Sequence, residues 1–141
     1  MRAVLDPNAL ISARISPRGT NSRILDAAEE NRFELVLSGL LVKEVKTMLE
    51  RPKFRRYFPE DEVPRYLSRL ISASALISEG SEENPRSFVD DPKDDYLVEL
   101  ALAAQANVIV SGDRHLNDPP RKLPVRVIRP AEFLAELEDD L

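Results

Sequence analysis

The chain has 141 residues, the usual size of one domain with one hydrophobic core, and we predict a single domain over residues 1–141. It contains no cysteine, which excludes disulfides and thiol nucleophiles, and it shows no secretion signal or membrane-spanning segment, so we predict a cytoplasmic protein without membrane contact. The formal net charge is −5, whereas proteins that bind nucleic acid only through phosphates are usually basic. An enzyme that binds a divalent cation through carboxylates is also acidic at its site. The net charge therefore does not decide whether this protein acts on nucleic acid.

Apolar runs typical of strands alternate with helical patterns along the chain. We predict strands at residues 3–5, 33–37, 75–78, 108–110 and 125–128. We predict helices over residues 40–50, 59–71 and 91–105, together with helices that begin at Thr20 and Pro130. This alternation predicts an α/β fold with a parallel sheet covered on both faces, in which ligands bind beyond the carboxyl ends of the strands.

Two aspartates follow predicted strands. Asp6 comes directly after the first strand, and Asp113 follows the strand at 108–110 after Ser111 and Gly112. Because the carboxyl ends of parallel strands share one edge of a sheet, we expect the two carboxylates to lie close together. The alternative for Asp6 is that it begins a turn, as Asp and Asn often do.

Glu44 is a charged residue on an otherwise apolar helical stripe. The stripe comprises Leu40, Leu41, Val45, Met48 and Leu49. Desolvating a carboxylate is unfavourable, which favours a functional role for Glu44. A partly buried salt bridge, or a position at the edge of the stripe, explains Glu44 equally well.

Acidic residues begin the helix at 91–105. Asp91 and the proline after it form the pattern of an N-cap with proline at the first helical position, which leaves Asp94 and Asp95 in the first turn. Asp94 shares its face with apolar residues, whereas Asp95 lies on the outward face. We therefore predict that Asp94 points into a site, although a favourable interaction with the helix N-terminus explains either acid.

These four carboxylates, from four separate elements, predict a metal site built of oxygen ligands. Such a site suits Mg²⁺ or Mn²⁺. A cation in that position lowers the pKa of a water molecule and stabilises charge on a phosphodiester, so no His, Ser or Cys nucleophile is needed. The chain has a single histidine, His115, to which we assign no catalytic role.

The order of these residues resembles the PIN-domain nucleases, and more narrowly the toxins of type II toxin–antitoxin systems within that family. The motifs that carry the resemblance are Asp6-x-Asn8, Glu44, Asp91-Pro-Lys-Asp-Asp and Val110-Ser-Gly-Asp113, with further matches at residues 10–13, 16–19, 49–53 and 129–134. Together they cover nearly the whole chain. The resemblance implies a three-layer α/β/α fold with a parallel sheet of about five strands in a doubly wound order.

The resemblance also implies Mg²⁺- or Mn²⁺-dependent cleavage of RNA by metal-activated water. The residues implied to be catalytic and to bind the metal are Asp6, Glu44, Asp94 and Asp113, while Asn8 and Ser111 would orient waters or the first carboxylate. The implied partners are an RNA substrate, a cognate antitoxin that holds the toxin inactive, and a second copy of the chain in a homodimer.

Basic residues outside these motifs are candidates for RNA contacts. They are Arg14, Arg18, Lys53, Arg55 and Arg56, of which the last three lie in a stretch that also contains aromatic residues. Solvated charges at a helix end and in a connecting loop explain the same residues.

Two other functions compete with cleavage of RNA. Pro7 stands where the family usually has Thr or Ser, which favours a catalytically inactive PIN-like module that acts by binding protein or RNA. A Mg²⁺-dependent phosphatase with an Asp nucleophile is the second competitor. Such phosphatases usually carry a second Asp two residues later, where this chain has Asn8, and an amide does not transfer protons.

Overall fold

Strands and helices alternate along the chain, as the sequence predicts. The computed structural model describes residues 1–77, 92–118 and 122–139, with the side chains of all these residues except 76–77 and 92–95. The strands in this part of the chain are Arg2–Leu5 (β1), Glu34–Leu37 (β2), Ser74–Ile77 (β3), Val108–Val110 (β4) and Arg126–Ile128 (β5). The α-helices are Pro7–Ile15 (α1), Thr20–Glu29 (α2), Gly39–Leu49 (α3), Val63–Ala73 (α4), Pro92–Ala103 (α5), Arg114–Asn117 (α6) and Pro130–Asp139 (α7). Two short 3₁₀ helices, Pro52–Phe54 and Glu60–Glu62, precede α4. None of the described helices is long and apolar enough to cross a membrane.

The five strands form one parallel sheet in the order β3-β2-β1-β4-β5. Ala3 of β1 lies opposite Leu35 of β2 and Val108 of β4. The chain moves outward from β1 through β2 and β3, and then returns to β4 on the other side of β1. The strand order therefore reverses between β1 and β4, which confirms the doubly wound α/β fold and places its switch point there.

Helices cover both faces of the sheet. Val4, Val36 and Ile109 in the central strands have no exposed surface, as expected for strands buried on both sides. Helix α5 contacts β1 and β4, whereas helices α1 to α4 and α7 pack against one another. Because parallel crossovers are right-handed, α5 lies on the face opposite α1 to α4, and the three predicted layers result.

Helix α1 is an element that the patterns in the sequence do not predict. Asp6 is its N-cap, and the Asp6 side chain accepts a hydrogen bond from the N–H of Ala9 at 2.7 Å. Pro7 occupies the first turn, where a helix needs no N–H donor. The polar segment after β1 therefore begins a helix, and the cap fixes the Asp6 carboxylate at the end of the strand.

Helix α3 buries a narrower stripe than predicted. Leu41, Val45 and Leu49 are fully buried, but Leu40, which we expected to face inward, is 49% exposed. The buried stripe of α3 is therefore centred on residues 41, 45 and 49. Glu44 lies at its border and is half-buried, which is the edge position that the sequence left open.

Tyr66 links α4 to α1 through a buried hydrogen bond. Its hydroxyl donates to the carbonyl oxygen of Leu10 at 2.5 Å, and burial raises the pKa of Tyr66. In Tyr66→Phe the carbonyl loses this donor, and we expect the free energy of unfolding to fall by about 1–2 kcal/mol. Urea denaturation measures the loss, with Tyr57→Phe as the matched control because Tyr57 is exposed. An unchanged midpoint for Tyr66→Phe would contradict a stabilising role of this hydrogen bond.

Candidate active site

Asp6 is held at the carboxyl end of β1 by one hydrogen bond to each carboxylate oxygen. Oδ1 accepts the N–H of Ala9 at 2.7 Å, and Oδ2 accepts the hydroxyl of Ser111 at 2.5 Å. The backbone N–H of Asp6 donates to the carbonyl oxygen of Val110 at 3.1 Å, which ties this residue to β4. The carboxylate is therefore fixed at the switch point of the sheet, and only 4% of Asp6 is exposed.

Ser111 joins Asp6 to the second aspartate. While its Oγ donates to Asp6, the same atom accepts the backbone N–H of Asp113 at 3.0 Å. Ser111 is fully buried, and the side-chain amide of Asn117 donates to the carbonyl oxygens of Ser111 at 2.7 Å and Asp113 at 2.8 Å. The loop after β4 is thus held against the end of β1 by hydrogen bonds of defined geometry.

Asp113 is the N-cap of α6. Its Oδ1 accepts the backbone N–H of His115 at 2.8 Å, so His115 contributes to the site through its main chain. Asp113 is half-buried. Its carboxylate is therefore fixed by the local helix start and still reachable from solvent.

Burial, hydrogen bonds and neighbouring charges all affect the pKa of Asp6. Burial raises this pKa most strongly, the hydrogen bonds from Ser111 and Ala9 lower it, and the negative charges of Asp113 and Glu44 raise it further. Glu44 and Asp113 therefore lie near enough for their charges to act on Asp6. Three of the four predicted carboxylates share one electrostatic environment.

A cavity of about 360 Å³ opens beside Asp6, and we call it the Asp6 cavity. It is lined by Asp6, Asn8, Ala9, Ser12, Asn21, Gly112, Asp113 and Pro130. A larger cavity of about 510 Å³ lies along β5, but none of the described residues that line it is a carboxylate. The Asp6 cavity is therefore the candidate active site, and its lining includes the predicted residues Asp6, Asn8 and Asp113 but not Glu44.

Ser12 and Asn21 are lining residues that the sequence does not single out. Ser12 lies four residues after Asn8, a spacing that puts both on one face of α1, so helical periodicity could have found it. Asn21 belongs to α2 and reaches the cavity only through tertiary packing. No local pattern marks such a residue.

Asp94 lies in the first turn of α5, but its side chain and that of Asp95 are outside the described residues, as is the whole of Asp91. Helix α5 ends shortly before β4 begins, so its first turn lies on the side of the sheet where β1 and β4 end. The apolar residues that share the predicted face of Asp94 are buried, namely Leu97, Val98 and Ala101.

The donor chemistry of this site fits a hard divalent cation. The acids are oxygen donors, and each Asp6 oxygen uses only one lone pair in the hydrogen bonds above, which leaves others for a metal. Asp113 and Glu44 place further negative charge around the buried carboxylate of Asp6. Within the described ranges, no group of three or more His, Cys, Asp and Glu residues is close enough to hold an ion, so these side chains alone do not form a three-ligand centre.

Arg14 and Arg55, two of the basic residues predicted to contact RNA, have acidic partners. Arg14 forms an ion pair with Glu62. Arg55 donates to the carbonyl oxygen of Glu50 at 2.9 Å and lies 3.8 Å from the carboxylate of Glu60. Neither arginine lines the Asp6 cavity.

The other three basic candidates also lie outside the lining of the Asp6 cavity. The charged groups of Lys53 and Arg56 lie over the rings of Phe54 and Tyr57, at 5.1 Å and 5.9 Å from the ring centroids. Arg18 is exposed. A role of these residues in binding RNA stays a prediction.

The chain matches a known protein family. Residues 2–115 match the family model described as PIN domain. The uncharacterized protein MJ1680 of Methanocaldococcus jannaschii is 29% identical, in an alignment that covers 98% of this chain and 92% of that protein.

Solved structures share the fold at low sequence identity. PAE2754 from Pyrobaculum aerophilum has a TM-score of 0.65 and 17% identity, covering 99% of this chain and 96% of that one. VapBC2 from Rickettsia felis, in a crystal structure with a DNA fragment from their promoter, has a TM-score of 0.62 and 14% identity, covering 92% and 98%. The PilT N-terminus domain protein SSO1118 from Sulfolobus solfataricus has a TM-score of 0.61 and 16% identity, covering 97% and 93%.

Proposed function

This chain belongs to the PIN-domain family, whose members are generally nucleases, and we propose that it is a metal-dependent endoribonuclease with its active site in the Asp6 cavity. The observation that carries the proposal is the placement of Asp6. Asp6 is a buried carboxylate at the switch point, it is hydrogen-bonded through both oxygens, and it shares a cavity with Asp113. Burying a carboxylate is unfavourable for folding, and no structural role of Asp6 other than capping helix α1 is evident. The proposed reaction is hydrolysis, in which water attacks phosphorus and the bond to the leaving oxygen breaks.

Asp6, Asp94 and Asp113 are the proposed ligands, and Glu44 takes part directly or through a water molecule. Mg²⁺ or Mn²⁺, when bound, supplies positive charge for the phosphodiester and lowers the pKa of a water molecule. Ser111 keeps the Asp6 carboxylate in one orientation through its hydroxyl, which reduces the reorganisation needed during the reaction. Asn8 is exposed and lines the cavity, and in this proposal it would orient water or substrate.

Arg129 adds a positive charge at the rim of this site. Its guanidinium donates to the carbonyl oxygen of Gly112, a cavity-lining residue, at 3.3 Å. An exposed arginine in this position attracts the phosphodiester backbone of a substrate toward the acidic cavity.

The resemblance to type II toxins extends the proposal to partners. A cognate antitoxin would hold the enzyme inactive by covering the Asp6 cavity, and a basic side chain on its inserted segment would complement Asp6 and Asp113. A homodimer in the cytoplasm belongs to the same proposal.

The proposed activity is tested with purified protein and labelled structured RNAs. We expect cleavage with Mg²⁺ or Mn²⁺, loss of cleavage with EDTA, and recovery when the cation is restored in excess. The Asp6→Asn variant, prepared in parallel, controls for a contaminating ribonuclease. Cleavage that EDTA does not affect would contradict metal dependence, and binding without cleavage under all these conditions would favour the inactive PIN-like module instead.

A further inference from the structure

We infer that Asn21 contacts the ribose 2′-hydroxyl of a bound RNA strand and so makes the Asp6 cavity prefer RNA to DNA. The inference rests on the proposed function, because it concerns the nucleotide that lies next to the cleaved bond. It assigns to a residue of α2 a role in substrate specificity.

Apart from the two aspartates, the described polar side chains that line the Asp6 cavity are neutral, and we call this part of its lining the neutral wall. Asn8 and Ser12 from α1 and Asn21 from α2 line it. Among the described residues no Lys or Arg lines the cavity, since Arg129 reaches only the carbonyl oxygen of Gly112. Phosphate groups are bound preferentially by Arg and Lys, so a neutral wall fits a sugar hydroxyl better than a second phosphate.

Asn21, a residue of this wall, has an unpaired side-chain acceptor. Its Oδ1 is buried and accepts no hydrogen bond from the described part of the chain. A buried acceptor without a donor is unfavourable, so a ligand that supplies a donor gains binding free energy once the amide turns this oxygen toward the cavity.

Rotation of the Asn21 amide is the step that brings this oxygen to the cavity. The residue as a whole is only partly buried, and its Oδ1 has no hydrogen bond to break within the described residues. The terminal torsion of an asparagine side chain has a broad minimum, so rotation brings either the oxygen or the nitrogen to the cavity side. The backbone of Asn21, in contrast, is held in the first turn of α2.

A 2′-hydroxyl matches this side chain in chemistry. The hydroxyl is both donor and acceptor, as is the amide, and it is the group that distinguishes RNA from DNA at a given position. A phosphate oxygen, in contrast, only accepts, and it is present in both kinds of strand. The two ligands are therefore distinguished by comparing RNA and DNA.

The test measures binding rather than cleavage. Fluorescence anisotropy with Mg²⁺ gives the Kd of the Asp6→Asn protein for RNA and DNA strands of one sequence, with and without the additional change Asn21→Ala. We expect Asp6→Asn to bind RNA about 3- to 10-fold more tightly than DNA, the factor of one hydrogen bond. Adding Asn21→Ala should raise the Kd for RNA to that for DNA and leave the DNA value unchanged.

Thr20→Ala in the same background is the matched control, because Thr20 precedes Asn21 in the same helical turn and does not line the cavity. It should keep the preference for RNA. Equal weakening of RNA and DNA binding by Asn21→Ala would indicate a phosphate contact and overturn the inference. No preference for RNA before the change, or no measurable binding of either strand, would overturn it as well. The EDTA-sensitive cleavage assay on the native chain decides the proposed function separately.

Discussion

We expect Asp6→Asn to lower the single-turnover rate of RNA cleavage by about 10²- to 10³-fold or more, the loss typical of a removed transition-state contact. Asn keeps an acceptor for the N–H of Ala9, so helix α1 keeps its cap, while the negative charge at the switch point disappears. The measurement uses end-labelled RNA with enzyme in excess. The matched control is Asp61→Asn, which also removes one negative charge. Asp61 is exposed and far from Asp6 in the sequence, so this variant should retain the native rate.

The same variant carries a stability signature that separates loss of function from misfolding. The pKa of Asp6 in the folded protein is raised, chiefly by burial, above its ordinary value. The folded state therefore binds the proton more tightly than the unfolded state, and stability falls as pH rises through the folded-state pKa. Asp6→Asn removes this ionisation, so the Tm of the metal-free variant minus that of the native protein should increase between pH 4 and pH 7.

Two results would contradict this account of Asp6. Cleavage at the native rate by Asp6→Asn would remove it from the active site. A Tm difference that decreases from pH 4 to pH 7 would mean that the ionised Asp6 carboxylate stabilises the metal-free fold, contrary to the direction of its pKa shift.

The sheet was predictable because its strands are short apolar runs, which can be recognised in the sequence without knowledge of tertiary contacts. Val108–Val110 is buried in the structure as the sequence indicates, and the positions of Asp6 and Asp113 after their strands follow from the same pattern. The rule that parallel sheets bind ligands at the carboxyl edge then placed both acids in one cavity.

Helix α1 was missed although its signal is in the sequence. Asp6 followed by Pro7 is the same combination of N-cap and first-turn proline that predicts the helix after Asp91. A turn explains Asp and Asn after a strand just as well, and α1 has no strong amphipathic stripe, since most of its residues are buried.

Tertiary packing explains the remaining differences. Leu40 belongs to the apolar pattern of α3, but the helix is rotated so that Leu41, Val45 and Leu49 face the core. Asn21 reaches the Asp6 cavity because α2 packs beside α1, a contact between segments that local patterns do not encode. The position of a functional side chain on a second helix is set by such packing.

Asp94→Asn is expected to lower RNA cleavage by at least about 10²-fold, whereas Asp95→Asn leaves the rate within about twofold, as surface changes usually do. The two acids stand in the same turn of α5, so each variant removes one charge at nearly the same distance from the helix N-terminus. Net charge and the interaction with the helix dipole therefore change alike in both. Any difference in rate then shows which face of α5 is directed to the site. Asp94 is on the same face as the buried residues Leu97, Val98 and Ala101. Equal losses in the two variants would point to a general effect of charge, and loss in Asp95→Asn alone would assign the ligand to the other face.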